Sequence, residues 1–372
     1  MAPSLDDVGE LASLSVLGSL RQRYEGLEFY RDLWWSMGDA GLFGMTVPEE
    51  YGGSGGGTRA LGQAVSRFAH DGCDMGLTLS WITHLSLCIK SIELFGTRKQ
   101  KRAYLPKLVS GEWVGAAAVS EPGTGAHPAG IETKAEKKDG GFVLNGKKLY
   151  ITDGSVADLL VVVAATGESE GGMKELTAFL VETGAPGFSS SRMDLNFLKT
   201  SPHAELTFTD MQLADSAVLG APGEGHSMAS RSAFARERSL VLAAGVGLFT
   251  AAAQSCGERL VKKHGSFDLE GKEASSWIHH MSALEAYESL SSGLLEAAFD
   301  DLERWRKSID LLIYLGISYA KWGIWLGDFV VKNQIEPSFP LDIILNDMKL
   351  VLIGEGMLFK EGRKRYIQPY EA

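Results

Sequence analysis

Cysteine is scarce in this sequence. Cys73, Cys88 and Cys256 are the only three among 372 residues, and their spacing forms neither a CxxC pair nor a metal-ligand pattern. That argues against a disulfide-stapled or zinc-organised scaffold and leads us to expect a reduced, intracellular protein, placed in the cytoplasm. Cationic excess is lacking too. The 36 Lys and Arg are outnumbered by 47 Asp and Glu, a net charge of −11, which excludes a protein that grips a phosphate backbone along a basic face and leaves nucleic acid out as a partner. No uninterrupted apolar run reaches the roughly 18 residues that cross a bilayer, so no membrane span is expected. The first 30 residues have neither a basic n-region nor an apolar h-region, so no secretory leader is expected. Low-complexity stretches and internal repeats are missing as well.

What remains is an ordinary globular composition, 45% hydrophobic and 22% charged, with material for a large core. At roughly 100–200 residues per domain, the length predicts two or three domains. The pattern changes twice along the chain. Residues 1–115 read as helical: Leu11, Leu14, Leu17 and Leu20 keep helical spacing, Thr78 to Phe95 forms a helix, and Gln100 to Leu105 forms another that Pro106 stops. The glycine-rich stretch Gly41–Gly57 reads as a loop. Residues 116–222 read as a β-domain, with short apolar runs at Leu159–Ala164, Ala178–Val181 and Ala204–Phe208, and with Asn145-Gly146 as a two-residue hairpin turn. Residues 223–372 return to long helical stretches over Ser227–Leu260, Ser275–Arg304 and Ile309–Val331. A Rossmann domain is disfavoured, because Gly53–Gly57 does not sit in a strand-turn-helix unit.

Several blocks carry more than periodicity. Residues 41–53 contain GLFG and VPEEYGG; residues 120–125 read SEPGTG; residues 150–154 read YITDG; and ELTF at 205–208 is followed by VLG at 218–220 and GEG at 223–225. Together with the α, β, α order, these resemble the acyl-CoA dehydrogenase family over nearly the whole chain. The resemblance implies an α+β fold of that type: an N-terminal helical domain, a middle flavin-binding β-domain and a C-terminal helical bundle.

The resemblance also implies a chemistry. Family members bind FAD, remove a proton alpha to a thioester carbonyl with a glutamate, and pass the beta hydride to flavin N5. At the positions that match, it implies that Ala118, Val119, Ser120, Gly125 and Ala126 meet the isoalloxazine, Ser120 at its pyrimidine edge, where donors favour the reduced ring. It implies that Thr152 lies at the N5 edge and that Tyr150 packs on the ring. Two glutamates occupy the two positions the family uses for its base. Glu355, in the stretch Asp347-Met348-Lys349 to Ile353-Gly354-Glu355-Gly356, is favoured; Glu237, in Ala235-Arg236-Glu237-Arg238, is the alternative, although a Glu opening a helix also suits the helix dipole. The implied partners are an acyl-CoA or acyl-carrier-protein substrate, an electron-transferring flavoprotein as acceptor, and further copies of the chain in a homodimer or homotetramer.

The C-terminal third departs from the family pattern. Lys263-His264-Gly265-Ser266-Phe267 stands where an arginine reaches the cofactor pyrophosphate, and a lysine keeps the charge without the bidentate fork. Gln334-Ile335-Glu336-Pro337 has lost the glycines that follow the family's glutamine, Asn346 and Met357 replace an arginine and a hydroxyl residue, and Ala126-His127 replaces Ser-Asp. Lys263 and Gln334 are nevertheless the expected contacts to the dinucleotide half of the cofactor. Two other readings stay open: a catalytically silent partner subunit, and a flavin oxidase or monooxygenase on the same fold.

Overall fold

The structure, a computed structural model, describes residues 2–127, 130–168, 173–225, 233–265 and 269–350. It packs as two compact units. One holds Arg23–Gly57 and Leu79–Glu237 with the first residues of the chain; the other holds Leu5–Gln22, Thr58–Thr78 and the described residues from Arg238 onward.

The first unit is built on a sheet of eight strands: β1 (Gly115–Ala118), β2 (Lys134–Lys138), β3 (Gly141–Ile151), β4 (Leu159–Glu168), β5 (Lys174–Glu182), β6 (Phe188–Arg192), β7 (Ala204–Ala214) and β8 (Val218–Leu219). They lie in the order β6-β7-β3-β2-β4-β5-β8, with β1 pairing parallel to the first half of β4. The apolar runs at 159–164, 178–181 and 204–208 fall on β4, β5 and β7 as expected. Asn145-Gly146 does not turn the chain. It runs on inside β3 opposite a bulge in β7, where Asn145 alone faces Thr209 and Asp210 between the pairs Leu144 with Met211 and Gly146 with Phe208. Gly146 sits at φ +144, and a Cβ there would fall 2.6 Å from the Thr133 Cα, so the glycine answers a close backbone approach rather than a hairpin. The hairpin turn is Asp139-Gly140, between the paired residues Lys138 and Gly141, with Gly140 at φ +82.

Helices α3 (Arg31–Asp39), α6 (Lys90–Phe95) and α7 (Arg98–Val109) belong to the same unit. Thr97 and Gln100 close a capping box at the start of α7. Pro106 lies inside α7 rather than stopping it; it sits in the final turn, where only one ladder bond is lost. The segment His84–Ile89, just before α6, winds as a wide helical turn, with His84 fully buried. His84 Nδ1 accepts the Gly115 N–H at 2.9 Å, and its other nitrogen faces the Leu108 carbonyl at 3.0 Å. Burial pushes this imidazole down to about 4, so it packs neutral against Trp34 and Phe43.

The second unit is helical. Its elements are α1 (Leu5–Leu11), α4 (Thr58–Gly72), most of α8 (Phe234–His264), α9 (Gly271–Asp300), α10 (Leu302–Lys307), α11 (Ile309–Lys332) and α12 (Leu341–Asp347), while α2 (Gly18–Gly26) and α5 (Met75–Thr83) run across the division. The buried stripe near the N-terminus is Val8, Ala12, Val16 and Leu20, which shares only Leu20 with the leucine series; Leu14 is 69% exposed. A stripe spaced by four outruns an ordinary helix at 3.6 residues per turn, and the wide turn over Ala12–Leu17 keeps it on one face. Aromatic packing joins α8 to α11: Phe249 stacks on Trp322 at 4.8 Å, and the Tyr319 hydroxyl donates to the Leu242 carbonyl. Although no uninterrupted apolar run is long enough, α8 and α11 are long and apolar enough as helices to cross a membrane by length and composition alone; 72% and 44% of their most apolar segments are buried inside the protein itself.

Candidate active site

One cleft in the sheet unit gathers residues from seven stretches of sequence, with about 650 Å3 of empty space including the part open to solvent. Its floor follows from strand alternation. Ala116 and Ala118 of β1, Leu160 and Val162 of β4, and Phe179 and Val181 of β5 enter the core cluster. The intervening Ala117, Val161 and Ala178 face the cleft, with Val119 just beyond β1. This is why these runs are apolar without a break: both faces are covered, one by core and one by the cleft. The small side chains at 117 and 178 leave the floor open.

Polar groups stand around this apolar floor. Ser120 follows β1, and its carbonyl accepts the Leu149 N–H at 2.9 Å, which ties the end of β1 to the end of β3. Tyr150 and Thr152 close β3 on the cleft wall. Tyr150 is held at φ +59, a strained backbone conformation that a tyrosine seldom adopts, and the residue is 58% exposed. Glu237 reaches the cleft from the first turn of α8, beside Phe234.

Two buried arrangements hold these groups. Behind Ser120, the Glu121 carboxylate accepts N–H bonds from Glu132 at 2.7 Å and Thr133 at 3.1 Å, and meets Lys148 Nζ at 2.7 Å. Lys148 also donates to the Val119 carbonyl at 3.0 Å. Both side chains are sealed from water, at 0% and 4% exposure. Burial draws Lys148 down to about 8, against the pull of Glu121. Burial raises Glu121, but the Lys148 charge and the hydrogen bonds it accepts bring it below the usual range, so the pair is ionised at neutral pH. Behind Thr152, the Asp153 carboxyl is fully buried and accepts from Ser80 at 2.6 Å, while its second oxygen has no hydrogen-bond partner among the described residues. Burial pushes it up to about 7. His203, also buried, places Nε2 3.3 Å from the Thr152 hydroxyl.

Of the residues expected from sequence, Val119, Ser120, Tyr150, Thr152 and Glu237 meet on this one cleft. Ala118 turns its side chain into the core. Gly125 and Ala126 lie in the loop after Glu121, where Glu121 and Gly125 exchange two backbone hydrogen bonds. Lys263 and Gln334 belong to the helical unit, where they meet: Lys263 Nζ donates to the Asn333 and Gln334 carbonyls at 3.2 and 3.3 Å. Glu355 lies outside the described residues. His203 and the burial of Asp153 were missed. Their only sequence signals were a histidine directly ahead of Ala204–Phe208 and an aspartate where the resemblance has Asn or Ser.

The residues present suit a flat heteroaromatic group such as an isoalloxazine: an apolar floor, an exposed aromatic at the rim, and the hydroxyl residues Ser120 and Thr152 on the wall. The sequence matches the family model described as acyl-CoA dehydrogenase, N-terminal domain, over residues 6–112, and that of the acyl-CoA dehydrogenase middle domain over 116–211. It is 43% identical over 222 residues to isovaleryl-CoA dehydrogenase, mitochondrial, of Oryza sativa subsp. japonica, covering 59% of this chain and 53% of that protein. It is 35% identical over 203 residues to an acyl-CoA dehydrogenase of Bacillus subtilis (strain 168), covering 54% and 53%. The chain thus matches about half the length of these curated relatives. Butyryl-CoA dehydrogenase from Megasphaera elsdenii superposes with a TM-score of 0.83 at 25% identity, covering 96% of this chain and 95% of that one.

Proposed function

Because the chain belongs to the acyl-CoA dehydrogenase family, we propose that it is an FAD-dependent oxidoreductase that desaturates an acyl thioester between its alpha and beta carbons. The observation that carries this reading is the convergence of Glu237 with Ser120, Tyr150 and Thr152 on one cleft. Glu237 acts as the base. Val119, Leu219 and Phe234 line the same cleft and give the base an apolar surround. FAD, when bound, supplies the acceptor for the beta hydride. Ser120 and Thr152 orient the ring through their hydroxyls, Tyr150 covers it, and the apolar floor keeps water from the reacting carbons. Lys263 and Gln334 hold the dinucleotide half of the cofactor, in a homodimer or homotetramer whose electrons leave to an electron-transferring flavoprotein. The carrier is CoA or an acyl-carrier protein.

The test is a visible spectrum of the purified protein, followed anaerobically on adding acyl thioesters, isovaleryl-CoA first in view of the relatives' names. A flavin band that bleaches supports the reading. A colourless protein that copurifies with a similar chain points to a silent subunit, and rapid reoxidation in air with peroxide release points to an oxidase. Glu237→Gln is expected to keep FAD and lower turnover by about 10²–10⁴-fold. Turnover lost in Glu355→Gln and kept in Glu237→Gln would move the base to Glu355.

A further inference from the structure

Behind Thr152 the hydrogen atoms can be counted. His203 Nδ1 faces the Ser201 carbonyl at 3.1 Å. A carbonyl only accepts, so Nδ1 carries a hydrogen. The same carbonyl takes the His203 backbone N–H at 2.9 Å, which holds the ring in place from two sides. The imidazole is neutral at pH 7, because burial disfavours its charged form and the nearby Arg192 adds to that, outweighing the Ser201 carbonyl. A neutral imidazole with its hydrogen on Nδ1 has a bare Nε2. Nε2 lies 3.3 Å from the Thr152 hydroxyl. The hydroxyl has one hydrogen, and that hydrogen points at Nε2.

We propose that His203 is a positioning residue that accepts the Thr152 hydroxyl hydrogen and so makes Thr152 an acceptor, and only an acceptor, toward any ligand in the cleft. A threonine left to itself rotates to donate or accept as its partner demands. This one is committed: the cleft favours a ligand that brings a hydrogen to Thr152 over one that brings a lone pair. The consequence for redox chemistry rests on the reading of the cleft as a flavin site. An oxidised isoalloxazine carries hydrogen on N3 but is bare at N5, the edge where Thr152 is read to lie, and two-electron reduction adds N–H there. A fixed acceptor therefore binds the reduced ring better and shifts the couple toward reduction. Ser201 supports the arrangement, its hydroxyl lying 3.1 Å from that of Ser80, which donates to Asp153. Thr152 and His203 are thus braced against one buried chain of polar side chains.

The first measurement needs no cofactor. In protein labelled with ¹⁵N-histidine, the His203 ring signals, assigned by their loss in His203→Asn, are expected to report hydrogen on Nδ1 and none on Nε2. Hydrogen on Nε2 overturns the proposal, whether or not the protein binds FAD. The second measurement is the flavin reduction potential in a double-variant cycle. His203→Phe removes the acceptor and is expected to lower the reduced-to-oxidised ratio about tenfold, the worth of one ordinary hydrogen bond, which is a fall of about 30 mV for a two-electron couple. In a Thr152→Val background the same change is expected to move the potential by less than a third of that. An equal shift in both backgrounds means that His203 acts without Thr152 and sinks the proposal. A protein that binds no flavin, yet has hydrogen on Nδ1, removes the redox consequence and the proposed function while the hydroxyl assignment stands.

Discussion

Lys148 and Glu121 form a buried pair with no water to share their charge. Such a pair adds little net stability, but breaking it leaves an uncompensated charge in the interior. Lys148→Met is therefore expected to destabilise the protein by about 3–5 kcal/mol in denaturant unfolding. Adding Glu121→Gln, which removes the uncompensated charge but keeps a single acceptor oxygen for the Glu132 and Thr133 N–H groups, is expected to recover part of that loss. Asp153 makes a different case, since its carboxyl sits at about 7 in the folded protein against 3.8 as its ordinary value. The folded state then holds a proton that the unfolded state releases, so stability falls as pH rises from about 4 to about 7 and levels off above. Asp153→Asn does not titrate, and its melting temperature relative to the parent is expected to climb between pH 4 and pH 8 in a thermal scan. A gap that stays constant over that range would show that Asp153 ionises normally.

At the scale of elements, β3 shows how a local signal misleads. Asn-Gly suits a tight turn, but here strand pairing on both sides of β3, to β2 and to β7, keeps the chain extended through it. The glycine is used for its missing side chain. Gly146→Ala is expected to lower stability by about 1–3 kcal/mol, measured by urea unfolding, because the new methyl meets the Thr133 backbone. Asp139-Gly140 makes the turn with a weaker sequence signal, since it sits among charged residues rather than between two apolar runs. The leucine series of the first helices marked helix correctly, but spacing by three drifts around a helix, and the stripe that packs is Val8, Ala12, Val16 and Leu20, which shares only Leu20 with that series. The apolar runs of β4, β5 and β7 were legible because packing on a sheet demands β-branched and large apolar residues in short uninterrupted or alternating runs.

For the whole molecule, the α, β, α order follows the acyl-CoA dehydrogenase fold. Helices α8, α9 and α11 each run for 24 residues or more, and long periodic stretches of that kind are the easiest elements to read from sequence. The Lys263 and Gln334 contact adds a prediction at this scale. A lysine ammonium whose hydrogen bonds among the described residues go to backbone carbonyls keeps its charge available for an anion. Lys263→Ala is expected to weaken FAD affinity about tenfold, the loss of one charge-assisted contact, with the flavin spectrum unchanged once saturated. Light scattering during the titration is expected to show a dimer or tetramer that FAD stabilises.

By itself the sequence determined where helices give way to strands, the family, and a short set of polar residues near the cleft. Those features are local: they depend on periodicity, on turn chemistry and on residue types within a few positions of one another. Tertiary structure alone decided which glutamate among the described residues shares a cleft with Thr152, that Asp153 is sealed from water, and that His203, fifty-one positions further along the chain, stands within hydrogen-bond reach of the Thr152 hydroxyl. Burial and hydrogen-bond direction arise from segments that meet only when the sheet is assembled, and no window of sequence contains both partners.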